Sequence, residues 1–170
     1  MLTGIGIMLL TFVGMEGVAW LMHKYVLHGF LWFLHKSHHT RHTHAFELND
    51  LFFAYYGTLA MLFFVFGSEP IDYRFWIGAG ITLYGVAYFL IHDVFIHRRI
   101  KIFGSTSNVY LKALNMAHKM HHKTQGKYDS ESFGMLWVAP RYFRSAYEIV
   151  KNQQKRGAIH NQRTRTPLRD

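Results

Sequence analysis

The sequence predicts an all-α integral membrane protein, a helical bundle with three clear spans and a histidine-rich helical cap on the cytoplasmic side. Three observations support this fold class: half of the 170 residues are hydrophobic, 17% are aromatic, and 13 are histidine. The length fits one domain. We assign residues 1–155 to this membrane-embedded domain and predict that residues 156–170 form a basic, disordered tail.

Three apolar runs account for the spans. The first, Leu2 to Met22, is interrupted only by Glu16 and is long enough to cross a hydrocarbon core of about 30 Å. It lacks a preceding basic residue and a small-residue cleavage site, so we interpret it as a retained span and not as a signal peptide. The second and third runs, Leu51 to Gly67 and Phe75 to Ile91, are separated by a short polar turn. They predict an antiparallel helical hairpin.

The positions of the basic residues predict the orientation. Of the 19 Lys and Arg, only Arg74 lies in the hairpin turn, and the other 18 lie on the opposite side. By the positive-inside rule that side is cytoplasmic. Topology and contact with membrane lipid therefore explain the net charge of +9. The chain has no nucleic-acid motif, and we expect no nucleic-acid partner.

The segment after the third span holds no run long enough to cross a membrane alone. A fourth, re-entrant segment stays open, because Phe133 to Ala139 is apolar enough to enter the interface. Further on, four apolar residues recur at helical spacing beneath basic ones, which predicts a helix lying on the membrane surface. These four are Phe143, Ala146, Tyr147 and Val150.

Ten of the 13 histidines form a doubled pattern, H-x4-H followed by H-x2-H-H, repeated once. The four groups are His23 and His28; His35, His38 and His39; His92 and His97; and His118, His121 and His122. In a helix, positions i, i+3 and i+4 share a face, so each triplet projects together. Positions i and i+5 are about 140° apart on an α-helix. The two histidines of each pair therefore serve different metals, or the helix ends or bulges between them.

The ligand chemistry predicts at least two metal ions. The chain has no cysteine, so disulfides, thiolate-ligated haem and cysteine-bound iron–sulfur clusters are excluded within it. A structural zinc needs only four ligands, whereas ten imidazoles converge here. Imidazole suits zinc, copper, iron and nickel, and such a site fits either oxygen activation or metal-assisted hydrolysis. His42 lies on the stripe of the first triplet and stays a candidate ligand, whereas we expect none from His160 in the tail.

The motifs resemble those of the bacterial non-haem β-carotene hydroxylases, in the fatty acid hydroxylase and sterol desaturase superfamily. The resemblance covers about Glu16 through Pro140. It is carried by the four histidine boxes in this order, by the segment Phe46-Glu-Leu-Asn-Asp50, by His92-Asp93 after the third span, and by Ser132-Phe-Gly134.

The resemblance implies a di-iron monooxygenase that uses O₂ to hydroxylate β-carotene at carbon 3 of each β-ionone ring. The products are β-cryptoxanthin and then zeaxanthin, and the ten boxed histidines are the implied iron ligands. Electrons come from a separate donor, by resemblance a ferredoxin with its reductase. Its candidate docking residues are Arg98, Arg99, Lys101, Lys119 and Lys123. A fatty acyl or sterol hydroxylase or desaturase, and a membrane zinc protein without redox activity, stay open as alternatives.

Other residues near the histidines are candidates for supporting the ligands, capping a helix or binding the substrate. Glu16 lies on the face of His23 and is a candidate partner of a ligand histidine or a proton relay; the alternative is an ordinary hydrogen-bonded helix contact. Asp93 is a candidate to orient His92, whereas Glu47 and Asp50 are expected to precede or cap the second span. A substrate groove between the spans is expected from six aromatic residues: Phe52, Tyr55, Tyr56, Tyr84, Tyr88 and Phe89.

Overall fold

The structure is a computed structural model that describes residues 1–40 and 46–165, with side chains through residue 158. Its secondary structure elements are all helical. In chain order they are α1 (Leu2–Leu21), a first π-helix (Met22–Phe30), α2 (Trp32–His39), α3 (Asp50–Gly67), α4 (Tyr73–Tyr88), a second π-helix (Phe89–Ile96), α5 (Val109–Lys123) and α6 (Pro140–Arg165).

Three helices in the described residues are long and apolar enough to cross a membrane. They are Leu2–Phe30, Asp50–Gly67 and Tyr73–Ile96. This confirms the predicted all-α membrane bundle with three spans. The first and third spans run further than predicted because each α-helix continues directly into a π-helix.

Helix α4 lies at the centre of the bundle and packs against both α1 and α3. Two glycines allow this close approach. A Cβ atom at Gly80 would lie 2.6 Å from the carbonyl oxygen of Met8 in α1, and one at Gly78 would lie 3.0 Å from the carbonyl oxygen of Ala60 in α3. At the hairpin turn, the Asp72 side chain accepts a 2.8 Å hydrogen bond from the backbone N–H of Arg74 and so caps α4.

Helices α5 and α6 pack on each other and form the cap. Their shared core contains Ala113, Leu114, Ala117, Val138, Tyr142 and Ala146. Asn108 caps α5 by accepting a 3.0 Å hydrogen bond from the backbone N–H of Leu111. The cap rests on the last turn of the third span, because Ile91 and Ile96 pack against the same core.

Helix α6 differs from the sequence-based expectation in two respects. The predicted surface stripe is divided, since Ala146 and Val150 are buried inside the protein while Phe143 and Tyr147 are exposed. The helix also continues to Arg165, so no helix end coincides with the predicted domain boundary at residue 156. His42 and His44, and the side chain of His160, lie outside the described residues.

Candidate metal centre and cavity

The two π-helices bring the i, i+5 histidine pairs together. In the second, the backbone N–H of His97 donates a 2.8 Å hydrogen bond to the carbonyl oxygen of His92, five residues earlier. The rings of His92 and His97 lie 4.5 Å apart, and those of His23 and His28 lie 5.2 Å apart. Of the two alternatives left open by the sequence, a bulge in the helix is therefore the correct one. Such π-segments are rare in proteins as a whole, and those that occur often lie at functional sites.

Nine of the ten boxed histidines form two compact clusters. Within each cluster, one ring nitrogen of every member lies within 4.8 Å of the others. Cluster A contains His23, His28, His35, His39 and His121; cluster B contains His38, His92, His97 and His118. Each H-x2-H-H triplet is divided between the clusters, so neither cluster is built from a single box.

The tenth boxed histidine, His122, lies against both clusters. Its ring centre is 4.4 Å from that of His118 and 4.7 Å from that of His38, both in cluster B. It is also 4.6 Å from the ring of His39 in cluster A. Its Nε2 atom is buried and has no hydrogen-bond partner among the described residues. The fold thus brings all ten predicted histidines to one place.

Seven of the ten imidazoles have an oxygen acceptor at Nδ1. The seven are His23, His28, His35, His38, His39, His92 and His121. Carbonyl and carboxylate oxygens only accept hydrogen bonds, so Nδ1 carries the proton and Nε2 is left with a free lone pair. This is the tautomer in which Nε2 binds a metal, and an oxygen acceptor on the other ring nitrogen is the usual support of a metal-bound histidine.

The Nε2 atoms face one another at distances that fit a shared cation. The separations are 3.0 Å for His23 and His35, and 3.0 Å for His38 and His92. Two unprotonated nitrogens at this distance form no hydrogen bond, and their lone pairs repel. Two imidazole nitrogens bound to one metal at about 2.0–2.1 Å and at roughly right angles lie about 3 Å apart. The donor set therefore fits metal ions.

Burial also favours the neutral form of three of these imidazoles that lie outside the spans. It lowers the pKa of His35 and of His122 to about 2, and that of His97 to about 3, with neighbouring imidazoles adding to the effect. A neutral ring at physiological pH is the form that binds a metal. An all-nitrogen set of neutral ligands suits iron, zinc, copper or nickel.

One loop supports most of cluster A. Residues 124–133, here called the carbonyl loop, supply four backbone carbonyl oxygens to four cluster A rings. Thr124 accepts from His39, Lys127 from His28, Glu131 from His121 and Phe133 from His23, at 2.9–3.0 Å. The fifth ring, His35, donates to the side-chain oxygen of Asn49 at 2.8 Å. Every acceptor around cluster A is therefore electrically neutral.

Glu16 anchors the chain directly after the carbonyl loop to the first span. Its Oε1 atom accepts hydrogen bonds of 2.9 Å from the backbone N–H groups of Met135, Leu136 and Trp137, and its Oε2 atom accepts one of 2.8 Å from the Tyr84 hydroxyl. These bonds join Glu16 to the backbone and to a tyrosine, not to a histidine ring. The carboxylate therefore fixes the backbone next to the carbonyl loop.

Carboxylates support cluster B. Glu47 accepts from His38 Nδ1 at 3.0 Å, and Asp93 lies 3.3 Å from His92 Nδ1, in the position expected from the sequence. Asp50 is the first residue of α3 and accepts a 2.9 Å hydrogen bond from the backbone N–H of Glu47. Arg99, a candidate docking residue in the sequence, is instead paired with Glu47, Asp50 and Asp93.

A cavity of about 580 Å³ lies between the three spans and reaches the histidines. Its wall includes His23 and His35 of cluster A and His92 of cluster B. Of the six predicted groove residues, five line it: Phe52, Tyr56, Tyr84, Tyr88 and Phe89. Tyr55 is not part of the wall; it is 57% exposed on the outer face of α3. Sequence reasoning did not single out Met15, Ala54, Ile81 or Gly85, which also line the cavity.

Comparison with known proteins identifies the class. The profile of the fatty acid hydroxylase family matches residues 8–144, and the chain belongs to this family. Its relatives include β-carotene hydroxylases: that of Pantoea ananas is 43% identical over 79% of this chain and 77% of the relative, and that of Pseudescherichia vulneris is 39% identical over 78% and 75%. The chloroplastic β-carotene 3-hydroxylase of Haematococcus lacustris is 41% identical over 73% of this chain and 40% of the relative. No solved structure matches the chain.

Proposed function

We propose that this chain hydroxylates carbon 3 of the β-ionone rings of β-carotene, giving β-cryptoxanthin and then zeaxanthin, with O₂ as co-substrate. The observation that carries the proposal is the cavity between the spans, whose wall includes histidines of both clusters. It offers a route from the bilayer to the metal ligands. The β-carotene hydroxylases among the relatives support the choice of substrate.

The ten boxed histidines hold two non-haem irons in this proposal. Cluster A supplies five ligands to one site. Cluster B supplies four to the other, and His122 is its fifth, because its ring lies within 5.0 Å of three cluster B rings. When bound, the iron pair supplies the oxygen-activating chemistry. The protein binds the metals, fixes the tautomer of the ligand histidines and buries these histidines.

The cavity selects the reacting carbon by position. Carotene has no polar group, so the aromatic and aliphatic wall holds it by shape and apolar contact. Catalysis requires the reacting atom to lie about 3–3.5 Å from its partner. Depth of insertion between the spans therefore decides which ring carbon reaches the metals. The Tyr84 hydroxyl is engaged by Glu16 and contributes to the wall through its ring.

The site faces the cytoplasm in this proposal, since all but one of the 19 Lys and Arg lie on the side of the histidines. The electron donor is a ferredoxin with its reductase, and acidic carriers of this kind suit a basic surface. Exposed cations near the site include Arg98, Lys101, Lys119 and Lys123. Arg99 is less suited to this surface because its guanidinium is paired with three carboxylates.

Expression in a strain that accumulates β-carotene, followed by pigment chromatography, tests the proposal. We expect zeaxanthin to form, and the purified protein to contain about two irons per chain. The purified enzyme is then supplied with a ferredoxin system, O₂ and either β-carotene, a fatty acyl chain or a sterol. Turnover of acyl chains or sterols without carotenoid conversion would overturn the substrate assignment. Zinc without iron, and no oxygen-dependent product, would overturn the redox assignment.

A further inference from the structure

The two clusters are supported by groups of different charge. Around cluster A, the Nδ1 acceptors are four backbone carbonyls and one side-chain amide. Around cluster B, His38 and His92 have carboxylate partners, Glu47 and Asp93. A carboxylate that accepts a hydrogen bond from the Nδ1–H group makes the Nε2 atom a stronger electron-pair donor to a metal than a neutral carbonyl does.

Both carboxylates bond the same arginine side chain. The Arg99 guanidinium lies 2.8 Å from Glu47 Oε1 and 3.1 Å from Asp93 Oδ1, so it bonds the carboxylate oxygens that face away from the histidines. The Nη1 atom of the same guanidinium lies 2.9 Å from Asp50 Oδ1. The backbone N–H of Arg99 also donates a 2.9 Å hydrogen bond to the carbonyl oxygen of Asp93.

An arginine suits this position. The side chains of Glu47 and Asp93 are only 5% and 10% exposed, so two negative charges are held close together with little water. Removing the partner of a buried charge is strongly destabilising because it leaves that charge uncompensated. A guanidinium presents several donors in a fixed plane, whereas a lysine ammonium is a single compact charge on a flexible stem. Glutamine at this position keeps hydrogen-bonding groups and removes the charge.

We propose that Arg99 is a positioning residue for the cluster B metal alone. By holding Glu47 and Asp93 against His38 and His92, it gives the cluster B site stronger donor nitrogens than the cluster A site has. The two metal sites are then electronically unequal, although both are built from histidine. This inference rests on the proposed metal pair and is independent of the identity of the substrate.

The test uses the full-length protein, purified in detergent and loaded with iron-57. Arg99→Gln and Arg99→Lys are compared with wild type, and Lys101→Gln is the matched control because it removes an exposed cation two residues away. Iron per chain is measured by mass spectrometry, and Mössbauer spectra resolve the two irons. Circular dichroism confirms that the helices are retained.

In wild type we expect two iron signals of equal area. Arg99→Gln should weaken iron binding at one site about 10–100-fold, so that one signal loses area at limiting iron while the other keeps its area and position. Arg99→Lys should affect the same signal less, and Lys101→Gln should leave the area and position of both iron signals unchanged. If Arg99→Gln does not fold, the loss of area from one iron signal is measured in Arg99→Lys instead.

Equal loss of both signals in a folded variant, or no change in either, would overturn the role of Arg99. Two equivalent irons in wild type would overturn the inequality of the sites. A wild-type protein that binds fewer than two irons would instead contradict the proposed metal pair, so failure of this inference and failure of the proposed function give different results.

Discussion

His23, near the start of the first π-helix, donates a 2.9 Å hydrogen bond from Nδ1 to the carbonyl oxygen of Phe133, 110 residues later in the chain. The same loop accepts hydrogen bonds from three other cluster A rings. Its position therefore determines the orientation of four imidazoles, and any change that displaces the loop should act on cluster A first.

Glu16→Ala tests this dependence. The substitution leaves the N–H groups of Met135, Leu136 and Trp137 without their acceptor, at a cost of about 1–3 kcal/mol for each that stays buried. We expect iron to fall from two to one per chain. Gly134→Ala should have the same effect, because its Cβ atom would lie 2.7 Å from Glu16 Oε1. Gly126→Ala is the matched control, since a Cβ atom there has no neighbour within 4 Å. Normal iron content in Glu16→Ala would contradict the role of the loop.

Single ligand replacements should abolish hydroxylation. We select His35 and His39 from cluster A, His118 from cluster B, and His122, and replace each by Ala. A neighbouring ring does not take over a lost position, because each ring whose Nδ1 is held is fixed in direction. Product formation and iron content are the measurements, and His160→Ala is the control that should be silent. Retained activity in two of the four variants would contradict the assignment of two metals.

Filling the cavity should separate substrate binding from metal binding. Gly85 lines the cavity, and a Cβ atom there meets nothing within 4 Å, so Gly85→Leu extends into the cavity. We expect turnover of β-carotene to fall at least about tenfold, since a displacement of about 1 Å is enough for a large loss of rate. Iron content should stay unchanged. Gly57→Leu is the matched control, because Gly57 is equally open but is not part of the cavity wall. Equal turnover in the two variants would exclude this cavity as the substrate path.

The cavity should process one ring of the substrate at a time. At about 580 Å³ it is within the usual range of ligand pockets, roughly 300–1,000 Å³. A long carotene therefore presents one end and must leave and turn before the other end reacts. We expect free β-cryptoxanthin to accumulate before zeaxanthin in a time course followed by chromatography. Complete conversion to zeaxanthin without an early intermediate would favour a site that treats both ends before release.

Electron delivery should depend on ionic strength if an acidic ferredoxin docks on the basic surface. Raising salt from low to about 0.15 M shortens the Debye length to about 8 Å and screens exposed charges. The rate with limiting ferredoxin should fall, whereas the rate with saturating ferredoxin should change little. Lys119→Gln should reduce the salt dependence. A rate that is independent of salt would remove the argument for this docking surface.

The sequence predicted the parts of the site that have a residue-type signature. Apolar runs identified the spans, and the spacing of ten histidines identified the metal ligands as candidates. The i, i+5 spacing also indicated a bulge or a break, and the structure resolves this as π-helix. The role of Asp93 could be predicted from the sequence because this residue directly follows His92.

Long-range partners were not predictable from one sequence. Backbone carbonyls such as those of Lys127 and Phe133 have no residue-type signature, and their histidine partners are 99 and 110 residues away. Glu47 and Arg99 are common surface residue types, so their pairing beside cluster B depends on the tertiary fold. The motif Phe46-Glu-Leu-Asn-Asp50 was the available signal, since Glu47 and Asn49 from this segment hold His38 and His35.

The carbonyl loop also links metal binding to the order of the chain around it. The lone pairs of facing Nε2 atoms repel one another unless a cation lies between them. Because the loop holds four of the cluster A rings, we expect metal binding to stabilise the loop, as in other proteins whose ligands come together on folding. Removing the metals should therefore make residues 124–133 more accessible to a protease than they are in the metal-loaded protein.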